Sequence, residues 1–358
     1  MRGAVVPIWE EPPRGAAADV ALLALPGVEQ LRTFADGRSP DPPVARLTGR
    51  RLVDVADGSV TYALPVSDWL VGPKGTLHPG VLAFLADAPL LAAVHSTLPP
   101  GTTATTAEVS TTFLGTAARG DELRAHGRVI HVDTTTGLSE VRITRRDGRL
   151  IGHGTSRAFV LPPIPVEEAP ALAARPEEPE YPTPDPYLRA VEGGLLAPRA
   201  LDERSGLELL RGQLGGELPR PPIDNLTGVQ LVDVDEGRTV FALRASGWSA
   251  NEFGVVFGGL IALLASSAGS AAVQTVALPA TSFAALDMKL NIIRPAFPDG
   301  TDLVATATVV HAGRKLAIAN TEIVNAEGKV VALASGTTML GEAAAARADE
   351  ASALAYDS

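Results

Sequence analysis

Eleven residues, Leu77-His78-Pro79-Gly80-Val81-Leu82-Ala83-Phe84-Leu85-Ala86-Asp87, hold the first groups of this chain that could do chemistry together. A helix whose first turn carries His78 and Gly80 points unpaired backbone N–H groups at whatever lies beyond its end. Asp87 follows about two and a half turns later, at 3.6 residues per turn. A carboxylate among Leu and Ala is out of place there. Held in an apolar helix, it has a raised affinity for protons and can activate water or attack directly. A helix start opened by glycine supplies donors at close range for a developing oxyanion, because a Cβ would block the backbone approach. Taken alone, the segment reads first as a buried helix with one exposed acid. It does not stand alone.

The chain repeats itself. At an offset of 179, Gly27, Leu47-Thr48-Gly49, Leu52-Val53-Asp54-Val55, Trp69 and Gly80 face Gly206, Leu226-Thr227-Gly228, Leu231-Val232-Asp233-Val234, Trp248 and Gly259. After one insertion near Pro298 the offset becomes 180, and Gly120, Leu123, Val129, His131 and Gly148 match Gly300, Leu303, Val309, His311 and Gly328. Coincidence does not hold one register for so long. The chain is a tandem duplication.

The elements that must position these groups read alike in both copies. A short helix near residues 20–35 (205–215 in the second copy) precedes strands at 48–55 and 59–65 (227–234 and 238–245). Asp57-Gly58 and Glu236-Gly237 are turn signals between them. A loop with the Trp leads to a long Ala-rich helix, 79–97 or 258–275, apolar on most faces and stopped by Pro99-Pro100-Gly101 or Pro279. Strands follow at 103–114, 121–132, 136–145 and 150–161, with counterparts at 282–293, 301–311, 315–325 and 329–340. Asp147-Gly148 and Glu327-Gly328 are hairpin turns. One buried helix against a curved antiparallel sheet is an α+β arrangement. The expected organisation is an N-terminal domain over 20–161, a stiff Pro/Glu-rich linker over 162–200, a C-terminal domain over 201–340 and a frayed acidic tail over 341–358.

Composition narrows the function. A net charge of −11 argues against nucleic acid as a main partner. The absence of cysteine removes disulfides and thiolate sites, and six dispersed His give no metal cluster. The uncharged run Gly254 to Ser282 reaches membrane-spanning length, but its glycines, serines and Pro279 and its lack of basic anchors predict a buried helix. No secretory signal is evident in MRGAVVPIWEEPPRG, so a cytoplasmic location without membrane attachment is expected. There is no G-x-S-x-G elbow, P-loop or dinucleotide fingerprint.

Motif, helix and strand order together resemble the hotdog-fold acyl-CoA thioesterases of the phenylacetate-pathway type. Their signature is Asn-x5-His-Gly-Gly-x6-Asp, followed by a strand ending in Leu-Arg-Pro. The first copy matches it with His78 and Asp87, has Pro79-Gly80 for the glycine pair, and has Gly72 at the Asn position. The second matches it with Asn251 and Gly258-Gly259, has Phe257 and Ser266 for the His and Asp, and keeps Ile293-Arg294-Pro295. The signature is divided between the copies.

The resemblance implies two tandem hotdog domains, each a long central helix wrapped by a curved sheet, forming an intramolecular pseudo-dimer. It implies sites between the two helices: one combining Asn251, Gly258 and Gly259 with Asp87 and Thr106, the other combining His78 and Gly80 with Ser266 and Ala285. Only the first of these sets holds a carboxylate, so one working site per pseudo-dimer is expected. Acyl-CoA is the implied substrate, with no metal and no cofactor beyond the CoA it carries. Arg314 and Lys315, and also Arg294, are candidates to face CoA phosphates, and a homo-oligomer of pseudo-dimers is compatible with the fold. A non-catalytic acyl-CoA-binding or scaffold protein is the alternative. Hotdog enoyl-CoA hydration usually needs an Asp-x4-His pair, and five residues after Asp68 stands Pro73. The small residues Ala88, Ala92, Ala93, Gly269 and Ala271 either leave an acyl tunnel or allow close helix packing.

Overall fold

A computed structural model describes residues 6–166 and 179–341. In chain order the first unit holds α1 (Gly27–Ala35), α2 (Pro43–Thr48), β1 (Arg51–Ala56), β2 (Ser59–Pro65), α3 (Pro79–Ser96), β3 (Ala104–Phe113), β4 (Glu122–Val132), β5 (Thr136–Thr144) and β6 (Leu150–Val160). The second holds α4 (Pro198–Glu203), α5 (Gly206–Leu214), α6 (Pro222–Thr227), β7 (Val229–Asp235), β8 (Arg238–Arg244), α7 (Gly258–Thr275), β9 (Ser282–Ile292), β10 (Asp302–Ala312), β11 (Leu316–Val324) and β12 (Val330–Gly341). All twelve strands form one antiparallel sheet, ordered β1-β2-β4-β5-β6-β3-β9-β12-β11-β10-β8-β7. The order of the second half mirrors the first. The two halves join through β3 and β9, in the register Glu108↔Asn291 to Thr112↔Asp287.

Each half is a hotdog unit: a long helix wrapped by its own six strands. α3 packs on β2 to β6 and α7 on β7 to β12, and the two helices pack on one another. This explains why neither helix has a polar stripe, since sheet covers one side and helix the other. α3 is the one helix among the described residues long and apolar enough to cross a membrane, yet 89% of it is buried inside the protein. α7, within the uncharged run, is buried as expected. Two-residue turns at Asp57-Gly58 and Glu236-Gly237 close the β1–β2 and β7–β8 hairpins, with Gly58 and Gly237 at φ +73° and +72°. Gly127 is required where β4 crosses α3, because a Cβ there would lie 2.3 Å from the Pro89 carbonyl oxygen.

The strands expected to start at 48 and 227 begin later, at Arg51 and Val229, because the preceding residues are the short helices α2 and α6. Each has Pro in its first turn and ends at a left-handed glycine, Gly49 or Gly228. Thr48 and Thr227 bond back through their hydroxyls to the carbonyls of Val44 and Ile223, at 2.8 and 2.7 Å. Leu-Thr-Gly, which looks like a strand entry, is a helix exit.

The repeat also reaches further toward each N-terminus than its identities suggest. A 3-10 turn at Ile8–Glu10 has its counterpart at Pro186–Leu188, inside the span expected to be linker. These arms cross between units. Trp9 covers Gly228 of the second unit, and Tyr187 covers Gly49 of the first. Trp248 donates its indole N–H to the Glu11 carbonyl at 3.0 Å, and Trp69 donates to that of Arg189 at 3.2 Å. The Arg189 guanidinium grips Glu11 with two bonds of 2.6 and 2.9 Å. Residues 186–189 are therefore laid on the first unit as the arm of the second, and Ile8, before the expected start at 20, is core. The Ala- and Glu-rich centre of the linker, 167–178, and the tail, 342–358, lie outside the described residues.

Candidate active site

Asp87 is 4% exposed and faces the start of the other unit's helix. A Cβ on Gly258 would lie 2.7 Å from its Oδ2, so only glycine lets the α7 backbone come this near. Thr106 Oγ1 donates to Oδ1 at 3.1 Å. Burial is the dominant influence and raises the Asp87 pKa to about 6; the Thr106 bond opposes it, Glu252 adds to it, and Arg50 and the Gly259 N–H oppose it further.

The α7 start is held open by its neighbours. Phe257 precedes the helix and offers no side-chain cap. Its ring packs edge-on against Phe84 of α3, with centroids 5.1 Å apart. A Cβ on Gly259 would lie 2.4 Å from the Phe84 carbonyl oxygen, so the second glycine sets how closely the helices approach. Asn251 is buried in the loop before α7. Its Oδ1 accepts the N–H groups of Phe253 and Val255, at 2.9 and 3.2 Å, and it makes no hydrogen bond to Asp87. It shapes the loop that delivers the helix.

His78 and Gly80 belong elsewhere. They begin α3, about 13 Å along the axis from Asp87 at 1.5 Å per residue. His78 caps its own helix, its Nδ1 accepting the Gly80 N–H at 3.1 Å. Burial lowers its pKa to about 4, which keeps the imidazole neutral and able to accept. This end opens on a cavity of about 740 Å³ that Ala285 also lines, while the buried Ser266 lines a small pocket beside it.

Two features add to the sequence reading. The His78 cavity does contain a carboxylate, Asp224 of α6, a position held by Ala45 in the first unit. Asp224 aligns with Ala45 and lies outside the motif, so the repeat does not mark it. The basic candidates are also split. The Arg314-Lys315 turn lies beside β12, where the Leu340 N–H bonds to the Lys315 carbonyl at 2.9 Å. Leu340 pairs with Phe283, which lines the His78 cavity. Arg294 follows the opposite end of β9, next to the Thr106 end of β3.

The Asp87 side has a partner of its own in Arg50, 3% exposed. Its Cζ lies 4.8 Å from the Tyr62 ring centroid and 4.6 Å from that of Phe257. Its Nε and Nη1 are buried with no hydrogen-bond partner. With Tyr62 and Glu252 it lines a cavity of about 500 Å³. A neighbouring cavity of about 330 Å³ shares Leu31, Phe34 and Glu252 and reaches Ala92 and His95. The signal in the sequence was a break in the repeat, Arg50-Arg51 against Val229-Gln230. Of the small residues singled out earlier, Ala92 and Ala271 line cavities on opposite sides of the helix pair.

The family model of the thioesterase superfamily matches residues 74–151 and 253–332, once in each unit. The chain is 32% identical over 122 residues to the acyl-coenzyme A thioesterase PaaI of Escherichia coli (strain K12), an alignment spanning 32% of this chain and 84% of that protein. Its fold is similar to that of the tesB protein of Mycobacterium avium subs paratuberculosis, with a TM-score of 0.51, 16% identity, and 84% and 98% of the two chains covered. It is also similar to an acyl-CoA thioesterase II of Mycobacterium marinum, with a TM-score of 0.50, 11% identity, and 84% and 99% covered.

Proposed function

Because this chain belongs to the thioesterase superfamily, we propose that it is a thioester hydrolase that cleaves an acyl-CoA to the free acid and CoA at Asp87. The observation that carries this reading is the buried carboxylate at the uncapped start of α7, at a glycine with no room for a Cβ. In this reading the thioester carbonyl oxygen approaches the first N–H groups of α7, whose fixed dipoles stabilise the charge that develops on it. Asp87 then acts from its ionised form. As base it takes a proton from the attacking water; as nucleophile it forms an acyl anhydride that water opens. Thr106 holds the carboxylate through Oδ1. The CoA thiolate leaves and takes up a proton.

Replacing Asp87 with Asn keeps the shape and removes the charge. Thiol release from a panel of acyl-CoAs of graded length is expected to fall by about 10²–10⁴ in kcat. Unchanged turnover of every cleaved substrate would refute the role of Asp87. Tight binding of acyl-CoA by the wild-type chain without thiol release would favour an acyl-CoA-binding protein instead.

A further inference from the structure

Lys74 stands in the loop before α3 and lines two cavities at once, the one of about 740 Å³ at the His78 end and a neighbour of about 170 Å³. The residue is exposed, and its Nζ lies 3.7 Å from the ring centroid of Phe283, which lines both cavities as well. No carboxylate or carbonyl among the described residues pairs with this ammonium. The protein around it removes enough water to lower its pKa, so the charge is both disfavoured and uncompensated. Gln274 of α7, 6% exposed, lines the same two cavities, and its amide has no hydrogen-bond partner among the described residues. Leu210, Leu231 and Phe241 make part of the larger cavity's wall apolar.

The mirrored positions in the repeat are built differently. Phe253, His95 and Ala104 are the counterparts of Lys74, Gln274 and Phe283. Phe253 packs edge-on against His95, with ring centroids 5.9 Å apart. A ring contact there takes the place of the unpaired cation.

An exposed, unpaired cation beside an apolar cavity of this size suits a small molecule with one anionic end and an apolar body. A neutral alcohol or amide accepts from an ammonium without neutralising it, whereas a carboxylate makes a charge-assisted hydrogen bond. Asp224, on the same wall, does not oppose this at pH 6, because burial pushes its pKa up to about 7 and leaves it mostly uncharged there.

We propose that the cavity at the α3 start is a second binding site, for a straight-chain carboxylate whose head lies on Lys74 and whose chain enters the apolar cavity. Such acids are the class of product that acyl-CoA hydrolysis releases, yet this site does not need hydrolysis at Asp87.

Calorimetric titration at pH 6 with octanoate and with octanamide tests it, since the amide keeps the chain and the shape of the head but has no charge. Octanoate is expected to fill one such site per chain, at least tenfold more tightly than octanamide. Lys74→Met, which keeps an unbranched apolar stem, should reduce octanoate to the affinity of octanamide, while Asp87→Asn, in the other site, should leave it unchanged. Equal binding of acid and amide, no binding of octanoate, or full octanoate affinity in Lys74→Met would each overturn the proposal. Loss of octanoate binding in Asp87→Asn would place the acid in the other site and overturn it too. CoA without an acyl group should not displace octanoate; displacement would make Lys74 a phosphate contact instead and overturn the proposal. The acid–amide comparison is made on the wild-type chain, so it stands even if a variant fails to fold.

Discussion

Before α3 stands His78, and its Nδ1 takes the Gly80 N–H at 3.1 Å; before α7 stands Phe257, which takes nothing. Opposite the α7 start lies Asp87, whereas the matching position facing α3 is Ser266. The duplicated units thus divide what a symmetric pair would hold twice. One helix keeps a bare N-terminus and has lost its acid, and the other keeps the acid and has closed its N-terminus on itself. In the proposed reading each site draws on both units, so a duplicated chain keeps one complete site after complementary losses. The two cavities differ as well, since Arg220 and Asp224 align with Asp41 and Ala45 in the first unit.

The sharpest way to break this comparison is to add one methyl group at each helix start. In Gly258→Ala the new Cβ meets Asp87 Oδ2 at 2.7 Å, so the carboxylate or the helix must move. We expect kcat/KM for acyl-CoA to fall by about 10²–10³. In Gly80→Ala the Cβ meets Leu263 Cδ1 at 2.7 Å, the far end of a flexible side chain. That change should cost about 1–3 kcal/mol in denaturant unfolding and leave turnover close to wild type. Equal loss of activity in the two variants would mean that the α3 start is not idle.

A smaller effect tests the charges around Asp87. Its pKa is raised to about 6, so the reactive anion is lost as pH falls, and kcat/KM should rise through about pH 6 and level above it. Arg50 favours the anion, so Arg50→Met should move this limb to higher pH. Glu252 disfavours it, so Glu252→Gln should move the limb to lower pH. The check is the pH profile of kcat/KM, in which opposite displacements are expected. Displacement of both limbs in one direction would exclude a direct electrostatic origin.

The long central helices, the order of strands along the chain and the duplication were legible in the sequence because they rest on period, turn residues and repetition. Gly258-Gly259 and Asp87 were legible as residue types out of place in an apolar run. Arg50 was not. Its role comes from tertiary placement, between two aromatic rings of different units, and nothing local marks an arginine at a strand start as buried. Asp224 was hidden in the same way, on a helix whose Leu-Thr-Gly ending resembled the start of a strand. The arms over 8–10 and 186–188 share almost no identical residues; what they share is geometry, an aromatic ring laid on the glycine that ends a helix in the other unit.

The smallest effect concerns the basic residues. If acyl-CoA is bound for cleavage at Asp87, its phosphates lie on the same side of the sheet join as Thr106. Arg294 follows β9 at that end, while Arg314 and Lys315 lie beyond the other end of the strand. An exposed ion pair contributes at most about 1 kcal/mol, so Arg294→Ala should raise KM for acyl-CoA by no more than about fivefold, with kcat unchanged. Added salt should shrink the difference, because the contact is screened. The double variant Arg314→Ala/Lys315→Ala should leave KM at the wild-type value at every salt concentration. A rise in KM from the double variant alone would place the phosphates at the other end of β9 and make the His78 cavity, not Asp87, the site where acyl-CoA is held.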